Sequence, residues 1–279
     1  MKKKSFSGTV CWITGASSGI GEGIAKELNK QNAFVILSAR SESNLEKVKQ
    51  ECTYADKVVV LPCDLENTES LSEVALSAWN VHQKIDYIFL NAGIAARDTV
   101  INTDIEVIRK VMNTNFIGGA VITKTLLPLM VARGSGTLVV TSSLSGKYGI
   151  PKLSAYAASK HALHGFYESL RAEHANNGIK VIMLIPGLIR TGISVNALTG
   201  QGKSYGKMMK SIDGGMSADE CARKSLKGIL KGRNEVIVAK SEKLSLLLNR
   251  FFPALMAYII KSHPLEKLRS LGLAKSQSS

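Results

Sequence analysis

The sequence predicts an α/β fold: a doubly wound parallel sheet of about seven strands, helices on both faces, and an apolar helical extension at the C-terminus. Three observations carry this expectation. Apolar, β-branched runs recur along the chain, helical segments separate them, and a glycine-rich turn follows the first run. Runs that are apolar throughout suit strands buried on both faces, as in parallel sheets covered by helices.

The runs, in order, are "TVCWIT" (9–14), "FVILSA" (34–39), "VVVLPC" (58–63), "YIFLNA" (87–92), "TLVVTS" (137–142) and "KVIMLI" (180–185). A seventh, "EVIVA" (235–239), follows a helical stretch that begins near Ser217. The alternation continues to residue 240 without a break. One domain therefore spans 1–279, with a core over 8–240 and the extension over 241–270. The segment from Gly187 to Gly215 is rich in Gly and Ser. It lies just past the sixth run, where open α/β sheets bind ligands and mobile loops cover them. The polar tail "AKSQSS" reads as frayed.

A chain of 279 residues with 45% hydrophobic content can bury a sizeable core. Its four cysteines have no CxxC or histidine-ligand spacing, and Cys11 and Cys63 fall inside apolar runs. They read as reduced, structural thiols of a cytoplasmic protein. The N-terminus "MKKKSFSGTVCWITG" starts basic but has no signal-peptide apolar region, so export is not expected. The net charge of +14, from 36 Lys and Arg against 22 Asp and Glu, favours anionic partners: phosphorylated cofactors, acidic substrates or membrane surfaces. Nucleic acid is not expected, because no zinc spacing, homeodomain pattern or aromatic RNA-binding signature accompanies the charge.

"TGASSGIGEGIA" stands directly after the first run. Gly15, Gly19 and Gly21 let the backbone turn tightly and approach a pyrophosphate, at which the following helix N-terminus points. This strand–turn–helix setting is that of a Rossmann-type dinucleotide site. NAD-binding versions carry an acidic residue at the end of the second strand to hold a ribose hydroxyl. This chain has Ser38, Ala39 and Arg40 there. The guanidinium matches a 2′-phosphate in charge and fork geometry, which favours NADP(H); an ordinary solvated arginine is the alternative.

"SAYAASKHALHG" (154–165) places Tyr156 and Lys160 four apart, on one face of a helix. An ammonium beside a phenol favours the phenolate and tunes it for proton transfer. Spacing alone does not separate such a pair from two solvated side chains. His161, His164 and His174 call for no catalytic role, and no metal-ligand set accompanies them.

With the glycine loop, "NAG" (91–93), "SSLSG" (142–146), "YAASK" (156–160) and "PGLIRT" (186–191), the chain resembles the short-chain dehydrogenase/reductase family over residues 8 to about 240. The resemblance implies Tyr156 as general acid-base, Lys160 as ribose ligand and pKa-lowering partner, and Ser143 as the donor that polarises a substrate carbonyl. Asn115, in "NTNFIG", matches the member that holds a relay water. For the cofactor it implies Gly15, Ser17, Ser18, Gly19, Ile20 and Gly21 at the pyrophosphate and Arg40 at the 2′-phosphate. Asp64 and Leu65 match the adenine contact. Asn91, Ala92 and Gly93 match the segment beneath the ribose, and Pro186, Gly187, Ile189 and Thr191 the stretch at the nicotinamide. Leu90 departs from the pattern, which usually has a second asparagine there. Within the family the chain looks most like the dehydrogenase/reductase member 7B group, which implies a hydrophobic ketone substrate such as an acyl-dihydroxyacetone phosphate or 3-keto lipid. A homodimer or homotetramer is expected.

The same residues also catalyse oxidation of steroid-like or other secondary alcohols, and a non-catalytic NADP-binding redox sensor is the reading from another class. "KLSLLLNRFFPALMAYIIKSHP" (243–264) is the one strongly apolar piece outside the core. Its runs are too short to span a bilayer. Residues 244–260 are expected either to lie in a membrane interface or to pack as a lid or oligomer helix.

Overall fold

The computed structural model describes residues 5–261. The tail "AKSQSS", the basic start and the part of the extension beyond residue 261 lie outside the described residues.

The first half alternates β1 (Val10–Thr14), α1 (Gly19–Lys30), β2 (Phe34–Ser38), α2 (Glu42–Gln50), β3 (Val58–Val60), α3 (Leu71–His82) and β4 (Tyr87–Leu90). Then come α4 (Ile105–Met112), α5 (Gly118–Arg133), β5 (Gly136–Thr141), α6 (Ser154–Glu173) and β6 (Ile179–Pro186). The remainder holds β7 (Ile189–Arg190), α7 (Lys210–Asp213), β8 (Met216–Ser217), α8 (Ala218–Leu230), β9 (Glu235–Val238), α9 (Leu244–Phe251) and α10 (Pro253–Lys261). Seven strands form one parallel sheet in the order β3-β2-β1-β4-β5-β6-β9, as the apolar runs predict. The direction of winding reverses between β1 and β4. That switch point opens a crevice at the carboxyl ends of the strands.

One core cluster packs α1, α2 and α8 on one face, around Leu28, Leu45 and Leu226; the other packs α3, α5 and α6, around Leu71, Leu126 and Leu163. Under the sheet, buried Trp12 donates to Ser38 Oγ at 2.8 Å, and Ser38 donates to the Leu61 carbonyl at 2.6 Å. The third strand is shorter than its apolar run. Val58, Val59 and Val60 register with Val35, Ile36 and Leu37 of β2, and single bonds from Leu61 N to the Leu37 carbonyl at 2.9 Å and from Cys63 N to the Ala39 carbonyl at 3.1 Å continue the contact past the strand.

Residues 105–133 run as one helical unit of 29 residues, long and apolar enough by length and composition to cross a membrane. Here Ile122, Leu126 and Met130 are fully buried against the sheet, as in a core helix. A wide turn at Asn113–Ile117 joins α4 to α5 within this unit. The 187–215 segment is structured: β7 pairs with β8, and Leu198 N donates to the Ala95 carbonyl at 2.9 Å. It is therefore stitched to the loop after β4.

The extension folds as two short helices. On their inner side Ser245, Met256 and Ile259 are buried, Ser245 Oγ lies 2.7 Å from Tyr148 Oη, and Asn249 donates to the Lys147 carbonyl at 3.1 Å. On the outer side Leu247, Phe251, Phe252, Leu255 and Tyr258 are exposed, Phe251 and Tyr258 by nearly two thirds (64% and 65%).

Candidate active site

The switch point is held open by one threonine. Thr14 Oγ1 donates to the Phe89 carbonyl at 3.3 Å and accepts from the backbone N–H groups of Asn91 and Ala92 at 3.1 and 3.2 Å. The first turn must then pass very close to the "NAG" segment. Gly15 has φ of +67°, and a Cβ there would stand 2.7 Å from Ala92 Cα. Gly21 is excluded from carrying a side chain for a different reason: its Cβ would meet the Gly15 carbonyl oxygen at 2.2 Å. These contacts explain the glycines as backbone packing, and leave the α1 N-terminus facing the crevice.

Two clefts meet here. The first, of about 530 Å³, is lined by Gly15, Ser17, Ser18, Gly19, Ile20, Arg40, Asp64, Leu65, Asn91, Ala92, Gly93, Lys160, Pro186 and Thr191. The second, of about 370 Å³ and mostly apolar, is lined by Ser143, Gly187 and Ile189 among others. Tyr156 lines both. Gly187 and Ile189 face the second cleft, and Pro186 and Thr191 face both. Gly21 and Asn115 line neither and act from behind.

α6 carries Tyr156 and Lys160 on the face turned to β5. Lys160 is 3% exposed, and its ammonium donates to the Thr141 carbonyl at 2.8 Å and lies 5.6 Å from the centre of the Tyr156 ring. Burial pushes its pKa down from 10.5 to about 8. Burial also raises the Tyr156 pKa above 10, and it is the Ser143 hydroxyl that opposes this shift. Desolvation of the phenol sets the direction of this shift.

Ser142 and Ser143 divide their roles by partner. Ser142 is buried, with Oγ 3.0 Å from His164 Nε2, whose Nδ1 lies 3.0 Å from Glu168. Ser143 Oγ accepts from Ser145 N at 3.2 Å, and its hydroxyl lines the second cleft beside that of Tyr156, with which it hydrogen-bonds. His164, Glu168 and Glu235 bring donor atoms within 4.8 Å of one another, the neighbours that the sequence did not reveal for a metal. Lys147 already pairs with Glu235 at 2.6 Å.

Asn115 sits in the wide turn between α4 and α5, buried. Its Oδ1 accepts from Ile94 N at 2.8 Å, and its Nδ2 donates to the Ile94 carbonyl and to Ser159 Oγ, both at 2.9 Å. The amide thus clamps the loop after β4 onto α6. Wide helical turns of this kind are frequent at functional sites. Thr14, Thr141 and Ser159 were missed from the sequence. Each acts through hydrogen bonds across the sheet or between elements, which no local spacing announces.

The first cleft has the parts for a dinucleotide: a glycine turn, a helix N-terminus, and exposed Arg40 at the end of β2. A family model for short chain dehydrogenases matches residues 9–202. A Drosophila melanogaster dehydrogenase/reductase SDR family protein 7-like is 41% identical over 264 residues, covering 92% of this chain and 81% of the relative. The Danio rerio SDR family member 7B is 36% identical over 269 residues, 94% of this chain and 87% of the relative. Among solved structures, a Burkholderia phymatum short chain dehydrogenase/reductase in complex with NAD superposes with a TM-score of 0.78 at 20% identity, covering 99% and 100% of the two chains. A Burkholderia cenocepacia short chain dehydrogenase in complex with NADP does so at 0.75 and 23% identity, covering 92% and 99%. With matching sequence motifs and a matching sheet, the chain belongs to the short-chain dehydrogenase family and is an NAD(P)-binding oxidoreductase of that family.

Proposed function

We propose that the protein reduces a hydrophobic or lipid-like ketone, such as an acyl-dihydroxyacetone phosphate or a 3-keto lipid, with NADPH. The observation that carries this reading is the position of Tyr156 on the wall shared by the two clefts, with Lys160 on the cofactor side and Ser143 on the substrate side. When bound, the nicotinamide supplies the hydride. Tyr156 donates a proton to the carbonyl oxygen as charge develops there, and Ser143 donates a hydrogen bond to the same oxygen. Lys160, cationic below about pH 8, holds the ribose hydroxyls and favours the phenolate that remains. Asn115 keeps the loop under the cofactor in register with the Lys160 turn. Asp64 and Leu65 face the adenine, and Asn91, Ala92 and Gly93 the adjoining ribose. The same groups run the reverse oxidation of an alcohol.

Solved neighbours carry NAD in one case and NADP in another, so the choice of cofactor rests on residues of this chain. Arg40 lines the far end of the first cleft, and no carboxylate stands at the end of β2 to repel a 2′-phosphate. This reading also takes the protein as a cytoplasmic homodimer or homotetramer that touches membranes peripherally through 244–260. The exposed outer side of α9 and α10 supports that contact. Lys243, Arg250 and Lys261 flank it, and residues 243–261 include no Asp or Glu.

Tyr156→Phe should lower turnover of a ketone substrate by at least roughly 100-fold while NADPH affinity, followed by cofactor fluorescence, holds; unchanged turnover removes the assignment. Arg40→Asp should reverse the cofactor preference, read as the ratio of kcat/KM with NADPH and NADH. A wild type that already prefers NADH contradicts the role given to Arg40. In vesicle sedimentation the full chain should favour anionic over neutral lipid, less so at high salt, and a Phe251→Ser/Phe252→Ser variant should bind more weakly. Equal, negligible sedimentation of both proteins with anionic vesicles leaves the outer side to another partner.

A further inference from the structure

The second cleft has apolar walls, including Ile150, Leu153, Ile193, Ile212 and Ile260, and none of its lining residues is Asp or Glu. Into this lining comes one half-buried guanidinium, Arg97, with Lys152 and Lys261 also on the cleft wall. Arg97 Nη1 donates to the Met209 thioether at 3.4 Å, and its guanidinium carbon lies 5.9 Å from the centre of the Tyr205 ring. Neither neighbour carries a negative charge. The adjacent Asp98 is committed elsewhere: Oδ1 accepts from Thr99 N at 2.8 Å, and Oδ2 from Gly200 N at 3.4 Å. Among the described residues no carboxylate pairs with Arg97.

Its backbone is fixed. Arg97 N donates to the Leu198 carbonyl at 2.8 Å, and Asp98 N to the Lys152 carbonyl at 3.1 Å. These bonds hold Arg97 between two segments that border the same cleft as Ser143 and Tyr156. A guanidinium offers five N–H donors in a planar fork, and a thioether is a weak acceptor for one of them. Desolvating such a charge without an anionic partner is costly. A carboxylate or phosphate on a ligand would supply that partner.

We propose that Arg97 is a specificity-determining residue that receives an anionic group of the substrate, so that the ketone acted on is an amphiphile with a carboxylate or phosphate. The inference rests on the oxidoreductase reading above and assigns the residue that meets an anionic group on its substrate. The carbonyl then sits at Ser143 and Tyr156, the anion at Arg97, and the apolar part along the isoleucine-rich wall. Lys152 and Lys261 draw the anion toward the cleft without a fixed contact.

The test compares oxodecanoates, with the ketone moved from C3 to C9, against their methyl esters, and a long-chain ketone bearing a phosphate monoester against its dimethyl ester. In the wild type at least one acid or monoester should exceed its neutral partner in kcat/KM. Arg97→Gln should lower that charged-to-neutral ratio by at least about 30-fold, mainly through KM, as expected for loss of a charge-assisted bidentate contact. Arg97→Lys should restore part of it. The carboxylate and phosphate arms show which anion the site takes. A ratio unmoved by Arg97→Gln, or neutral partners preferred throughout, overturns the proposal. Calorimetry with decanoate and decanol reads the same site without turnover: wild type should bind decanoate more tightly, and Arg97→Gln should lose the difference. No turnover of any ketone together with intact decanoate selectivity would remove the reductase reading and leave the anion site standing; equal binding of decanoate and decanol would remove the anion site.

Discussion

The buried ammonium of Lys160 is the constraint on which the centre depends. It donates to the last carbonyl of β5, that of Thr141, and so pins α6 to the sheet at the switch-point end. Tyr156, four residues earlier on the same helix, is thereby carried to the wall between the clefts. Ser143, two residues beyond Thr141, comes to the same place from the strand side. Burial makes the charge costly and draws its pKa to about 8. The Asn115 amide fastens the adjoining turn of α6 to the loop after β4, by way of Ser159 and the Ile94 backbone.

Much of this was legible in the sequence because local patterns dictate it. Seven apolar runs became seven parallel strands, and the glycine turn fell at the point where β1 must clear the "NAG" segment. What escaped was long-range. Thr14 joins β1 to the end of β4 across 77 positions, and no periodicity marks it. The β7–β8 pair depends on Gly187–Gly215 folding back, whereas composition alone suggested a mobile loop. The electrostatic expectation for Tyr156 considered the helix pair in isolation, whereas burial raises its pKa and the Ser143 hydroxyl is what opposes that shift.

The C-terminal segment shows why sequence left two alternatives open. An apolar segment broken by Asn249, Arg250 and Pro253 suits a lid and an interface equally well. The fold gives it both sides: Met256 and Ile259 are buried, and Ile260 and Lys261 line the second cleft, while Phe251, Phe252 and Tyr258 face outward. A segment that is buried beside the second cleft on one side and exposes aromatic rings beside cations on the other has a physical reason to be apolar on two faces.

The central claim is that one carbonyl oxygen is addressed at once by Tyr156 and Ser143 where the two clefts meet. A crystal structure with NADPH and an unreactive ketone analogue tests it most directly. The account predicts the cofactor along the first cleft and the analogue oxygen within about 2.6–3.2 Å of both hydroxyls. An analogue seated in the second cleft with its oxygen turned away from Tyr156 would contradict it.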